Sequence, residues 1–146
     1  MKYLLLLLMM AVSLMVPRQR KNITQGIEGK IYLKQGNQMP SPGRKPDEGT
    51  LVVRTVYVYE LTQREQAAVN GNFYSNIKTR LVAKAQSGAD GHYQIALPVG
   101  RYSVFVEESG QLYANLFDGQ GNINPVEVKK GNTTPFNIAI SNNAVY

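Results

Sequence analysis

From Gly26 to Ser141 the chain alternates apolar and polar residues with a period of two, broken at short intervals by glycine, proline and asparagine. That period is a β-strand with one face in a core and one in water. Two runs carry it most clearly. Tyr93, Ile95 and Leu97 alternate with Gln94 and Ala96, and after Pro98-Val99-Gly100 the residues Tyr102, Val104 and Val106 repeat the pattern, with Ser103 and Glu107 between them. Proline ends the first ladder and glycine permits the turn. Asp90-Gly91, just before, is itself a strong turn signal. The pair predicts the central hairpin of a small all-β domain.

Other elements follow in order. Gly26 to Gly36 predicts the first strand, with Ile27, Gly29, Ile31 and Leu33 on one face and Glu28, Lys30 and Lys34 on the other. Met39 to Gly49 holds Pro40, Pro42 and Pro46 and predicts a loop that joins no ladder. Leu51 to Leu61 is the most β-prone run; Val56 and Val58 alternate there with Tyr57 and Tyr59, so either both faces are covered or one carries an aromatic strip. Thr62-Gln63-Arg64-Glu65 has a capping-box pattern and predicts a short helical turn that Asn70-Gly71 ends. Ile77, Thr79, Leu81, Ala83 and Ala85 predict a strand whose wet face carries Lys78, Arg80 and Lys84. Gln111 to Phe117, Ile123 to Lys129 and Thr134 to Ser141 complete the set, with turns at Asp118-Gly119-Gln120-Gly121-Asn122 and Lys130-Gly131-Asn132. The expected fold is an all-β, antiparallel two-sheet sandwich of seven to eight strands. Its expected core is Ile31, Val56, Val58, Leu81, Ile95, Leu97, Tyr102, Val104, Val106 and Ile138.

The N-terminus has a different pattern. Lys2 precedes an unbroken apolar run from Tyr3 to Val16, too short to span a bilayer comfortably and of the right length for the apolar region of a signal helix. Arg18, Arg20 and Lys21 follow it. The division is then residues 1–16 as a signal peptide or short hydrophobic segment, 17–25 as a basic linker, and 26–146 as one domain. Export is expected, to a periplasmic, outer-membrane-associated or extracellular place. The chain has no cysteine, so a lipid-modified cysteine, disulfides and thiolate metal sites are all excluded. An exported domain without disulfides fits a bacterial envelope. The formal net charge is +6, but its lysines and arginines lie along strands beside glutamate and aspartate, as on a solvated face, and nucleic-acid binding is not expected.

Candidate chemistry is sparse. His92 is the only histidine and follows a turn, so it has no second imidazole or thiol with which to build a catalytic or metal site. A nucleophilic serine would lack a base, and no H-E-x-x-H ligand set exists. Glu107 and Glu108 are adjacent on a strand and must point to opposite faces, so they cannot converge on one bond. Asp90 and Asp118 sit in turns without the dense carboxylate loop that calcium requires. No enzyme, catalytic metal or cofactor is expected.

The pairing of Gly26-Ile27-Glu28-Gly29-Lys30-Ile31 with Asp90-Gly91-x-Tyr93-x-Ile95-x-Leu97-Pro98-x-Gly100-x-Tyr102-x-Val104 resembles carboxypeptidase regulatory-like domains. The resemblance spans residues 26–141 and implies a transthyretin-like (prealbumin-like) sandwich and a non-catalytic module. The segments around Leu112-Tyr113-Ala114-Asn115 and Asn124-Pro125-Val126 look like a small single-domain branch found in secreted bacterial proteins. Enzymes with related folds are set aside on residues: hydrolases of ureide rings end in Tyr-Arg-Gly-Ser, unlike Asn142-Asn143-Ala144-Val145-Tyr146, and intradiol dioxygenases need two histidines. Some surface-protein sandwiches carry a Lys–Asn crosslink between their first and last strands. Here Lys30 and Asn137 are both out of phase with the core, with Glu60 on the second strand, so the crosslink is not expected.

What remains is binding. Nine tyrosines and four phenylalanines, with Tyr57, Tyr59, Tyr113 and Phe117 at strand positions, suit either a stacking surface or the edge of a core. The expected function is an exported module that binds a protein or glycan in the bacterial envelope. The alternative is a structural protein that associates through an exposed sheet edge. Any partner surface is expected to include Tyr57 and Tyr59 with the loops Gln35–Gly49 and Gln63–Asn76, and to exclude Lys78, Arg80 and Lys84.

Overall fold

The computed structural model describes residues 21–145, so the expected signal helix lies outside the described residues. The rest is a two-sheet sandwich of five and seven strands, mostly antiparallel. In chain order its strands are β1 (Gly26–Asn37), β2 (Thr50–Leu51), β3 (Thr55–Glu60), β4 (Ala68–Asn70), β5 (Phe73–Ser75), β6 (Leu81–Gln86), β7 (His92–Ala96), β8 (Gly100–Glu108), β9 (Gln111–Tyr113), β10 (Pro125–Val128), β11 (Thr133–Pro135) and β12 (Ile138–Val145). A single 3₁₀ turn, Arg64–Gln66, precedes β4. Several strands are only two or three residues long, so the strand count exceeds the expected seven or eight.

Sheet one is built on β1. Its first half pairs antiparallel with β7 and parallel with β11; its second half pairs antiparallel with β2 and parallel with β12. The first and last strands are therefore parallel neighbours, an exception to the antiparallel pattern. Gly29 permits their close approach, since a β-carbon there would stand 2.1 Å from the Phe136 carbonyl oxygen. Sheet two runs β4-β5-β9-β8-β3-β6, with β10 beside the first half of β8.

The expected central hairpin does not form. β7 pairs with β1 in sheet one, whereas β8 pairs with β3, β9 and β10 in sheet two. Pro98-Val99-Gly100 is a crossing between layers, held by the Tyr102 hydroxyl donating to the Pro98 carbonyl at 2.7 Å. The apolar faces of both strands point into the same core, so they meet across the sandwich and not along a ladder. Alternation is the same for either arrangement, which is why the sequence pattern did not separate them.

That core holds Ile27, Ile31, Val56, Val58, Tyr93, Ile95, Leu97, Tyr102, Val104, Val106, Tyr113, Val126, Val128, Ile138 and Ile140. Leu81 is the expected core residue that is absent; it is 41% exposed. A bulge explains it. The register slips between Val58 and Tyr59, so Leu81 lies opposite Tyr59 and turns outward, while Val82, Ala83 and Ala85 pack on the core.

Candidate functional site

Alternation along β3 sends Val56 and Val58 into the core and leaves Tyr57 and Tyr59 half-buried on the outer face of sheet two. Tyr57 lies opposite Lys84 of β6, whose ammonium stands 6.0 Å from the ring centroid, within cation–π range. The Tyr57 hydroxyl donates to Glu107 at 3.0 Å, and that bond, with burial second, raises its pKa above the usual tyrosine value. Tyr59 meets Phe105 of β8 edge to face at 5.5 Å. From Phe105 the contact passes to Tyr74 at 5.4 Å and from Tyr74 to Phe117 at 6.5 Å. Arg64 closes the row, its guanidinium carbon 5.8 Å from the Phe117 centroid.

The outer face thus carries a second apolar layer. Tyr74, Phe105, Ala114 and Ile123 are buried in it, with Tyr57, Tyr59, Ala67, Val69, Ile77 and Leu112 partly buried around them. The excursion between β3 and β6 covers this layer. Thr62 starts it: its backbone N–H donates to the Ser103 hydroxyl at 2.8 Å, and its carbonyl accepts from Ile123 N–H at 2.9 Å. The expected helical turn is present one residue later than the capping pattern placed it, with the Gln66 side chain accepting from Gln63 N–H at 2.8 Å. On the far side the Asp118 carboxylate accepts from the backbone N–H groups of Gln120 and Asn122 and from the Asn122 side chain. The Asn122 amide leads the causes that lower the Asp118 pKa, and Arg101 stands 3.5 Å away. Leu116 and Phe117, between these supports, are 56% and 43% exposed.

The proposed surface is rearranged in two respects. Lys84 lies on the same face as Tyr57, so tyrosines and lysine are one surface, because strand pairing places them opposite each other. The loop Gln35–Gly49 leaves β1 and returns into β2, both in sheet one, whereas the tyrosines face outward from sheet two. Only the Gln63–Asn76 excursion reaches the tyrosine layer, by packing Ala67, Val69 and Tyr74 into it.

The remaining candidates are dispersed. His92, half-buried at the start of β7, stands 4.0 Å from Glu28. Glu107 and Glu108 diverge: the first accepts from Tyr57, the second pairs with Arg54 at 2.7 Å. Lys30 and Asn137 are both exposed and joined only by the Lys30 backbone N–H donating to the Asn137 side chain at 2.9 Å, while Glu60 pairs with Arg80 in the other sheet. Among the described residues no group of three His, Cys, Asp or Glu side chains is placed to hold a metal. A groove of about 390 Å³ borders the aromatic layer, lined by Phe73, Tyr74 and Leu112 among others. A wider one of about 650 Å³ lies at the ends of β1 and β7, lined by Lys21–Gln25 and Ala96–Pro98.

Sequence reading missed Phe105, Tyr74 and Ile123 as a layer of their own. One signal was present: Phe105 is an aromatic residue in the polar phase of β8, where only an outer cover explains it. No family model matches the chain, and neither does any curated protein or solved structure.

Proposed function

We propose that this is an exported, non-catalytic β-sandwich module of the carboxypeptidase regulatory-like type that binds a protein or glycan partner in the bacterial envelope. The observation that carries the reading is the outer face of sheet two. A purely structural sheet leaves its solvent face polar; this one carries a row of aromatic rings that is covered in the middle and open at both ends. At one end are Tyr57 and Tyr59 beside Lys84, at the other Phe117 beside Leu116 and Arg64. Half-exposed tyrosines with a fixed ring plane and a polar tip suit recognition, because they present large contact area at little conformational cost.

Association through a sheet edge is the second reading, and β6 favours it, since among the described residues its ladder has β3 as its neighbour and leaves the other side open. Two features oppose it: the bulge at Val82 and the charged Lys84 are devices that discourage strand addition. The edge of β12 is guarded differently, by Tyr113 and Asn115 side chains that bond Ser141 N–H and the Ala139 carbonyl. Mass measurement across a concentration series separates the readings. A steady monomer that captures a partner from envelope extract supports binding; reversible self-association without any ligand supports assembly.

A further inference from the structure

We propose that the corner formed by Arg64, Tyr74, Leu116 and Phe117 is a carboxylate site, which takes an acidic group carried beside an apolar side chain on a protein partner. This rests on the binding reading above and names its partner's chemistry, but it uses neither Tyr57 nor Tyr59.

Three observations converge there. First, Arg64 is an arginine with its donors uncommitted. Arg54, Arg80 and Arg101 each hold a carboxylate, Glu108, Glu60 and Asp118, whereas among the described residues the Arg64 guanidinium has no acidic partner within ion-pair distance. Its backbone N–H is anchored to the Gly121 carbonyl at 3.1 Å, and its guanidinium lies over the Phe117 ring in a cation–π contact, 5.8 Å from the centroid. Such a contact leaves the planar fork of N–H groups free for a bidentate acceptor. Second, the Tyr74 hydroxyl is buried and has no hydrogen-bond partner among the described residues, on a residue only 3% exposed whose ring lies against Phe117. A buried donor without an acceptor is rare and calls for a specific cause. Third, Phe117 and Leu116 beside it are large apolar side chains left in solvent. A guanidinium fork, a phenol donor and an apolar wall together describe a carboxylate on an apolar stem. A sugar acid would bring hydroxyls that Leu116 and Phe117 cannot pair.

The test is an NMR titration of the purified full chain with 3-phenylpropionate, its neutral amide and glucuronate. Weak, saturable millimolar binding of 3-phenylpropionate is expected, as befits a fragment of this size, with shifts centred on Arg64, Tyr74 and Phe117. The amide and glucuronate should bind at least about tenfold more weakly. Arg64→Gln should abolish binding, and Tyr74→Phe should weaken it about fivefold without lowering the unfolding midpoint, since an unpaired hydroxyl is being removed. Equal binding of the amide, preference for glucuronate, or an Arg64→Gln variant that binds normally would each overturn the site. So would a destabilised Tyr74→Phe, because that hydroxyl would then have a partner in the fold. None of these outcomes touches Tyr57 and Tyr59, so the site can fail while the wider binding reading stands.

Discussion

Val104 shows how tightly single positions are constrained. It is fully buried where the two sheets meet, opposite Val58 in the ladder. An aspartate there would place an unpaired charge in an apolar interior, costing several kcal/mol of a total stability of about 5–15. Val104→Asp should therefore yield no cooperative unfolding transition; a soluble variant that unfolds cooperatively would contradict the register. Tyr93 imposes a different constraint. Its hydroxyl donates to the Phe136 carbonyl, tying β7 to the segment before β12, and burial raises its pKa above the ordinary tyrosine value near 10. The folded state thus favours the neutral phenol more than the unfolded chain does. That contribution is complete below the unfolded value and is lost as pH rises above it towards the folded one. Urea unfolding across pH should show stability falling above about pH 10, and Tyr93→Phe should make that fall shallower, with the raised phenols Tyr57, Tyr74 and Tyr102 supplying the remainder. An unchanged alkaline slope in Tyr93→Phe would contradict the role given to its burial.

Among the elements, β8 is the one that holds the layers together, because it is buried on both faces. Tyr102, Val104 and Val106 face the main core, while Ser103 and Phe105 face the outer layer. Its inner alternation was legible from sequence, as were β1, β3 and β7, because period-two patterning depends only on which face meets water. Pairing was not legible, since a tight hairpin and a crossing between sheets require the same alternation and the same Pro98-Val99-Gly100 connection. The bulge that exposes Leu81 was hidden for a related reason: inserting one residue reverses phase without changing composition. For the candidate site, Tyr57 and Tyr59 were placed from sequence on the correct strand, but the row through Phe105 and Tyr74 was not, because its members lie far apart along the chain. Phe105 is fully buried between Tyr59 and Tyr74, so Phe105→Ala should cost about 3 kcal/mol, as for an aromatic removed from a packed core. Denaturant unfolding measures it, and a loss below about 1 kcal/mol would mean the outer layer is not packed.

At the scale of the whole molecule, the sandwich separates support from contact. The main core and the guarded β12 edge form the support, and a second apolar layer lies on the outer face of sheet two. The tyrosine end of that face tests the account most directly. The measurement is the affinity of the full chain for a partner captured from envelope extract as the proposed binding reading expects, compared with a Tyr57→Ala/Tyr59→Ala variant shown to retain its fold. Each ring contributes on the order of 1 kcal/mol beyond burial, so affinity should fall about ten- to thirtyfold. An unchanged affinity in the folded variant would contradict the claim that the tyrosine end of this face does the binding.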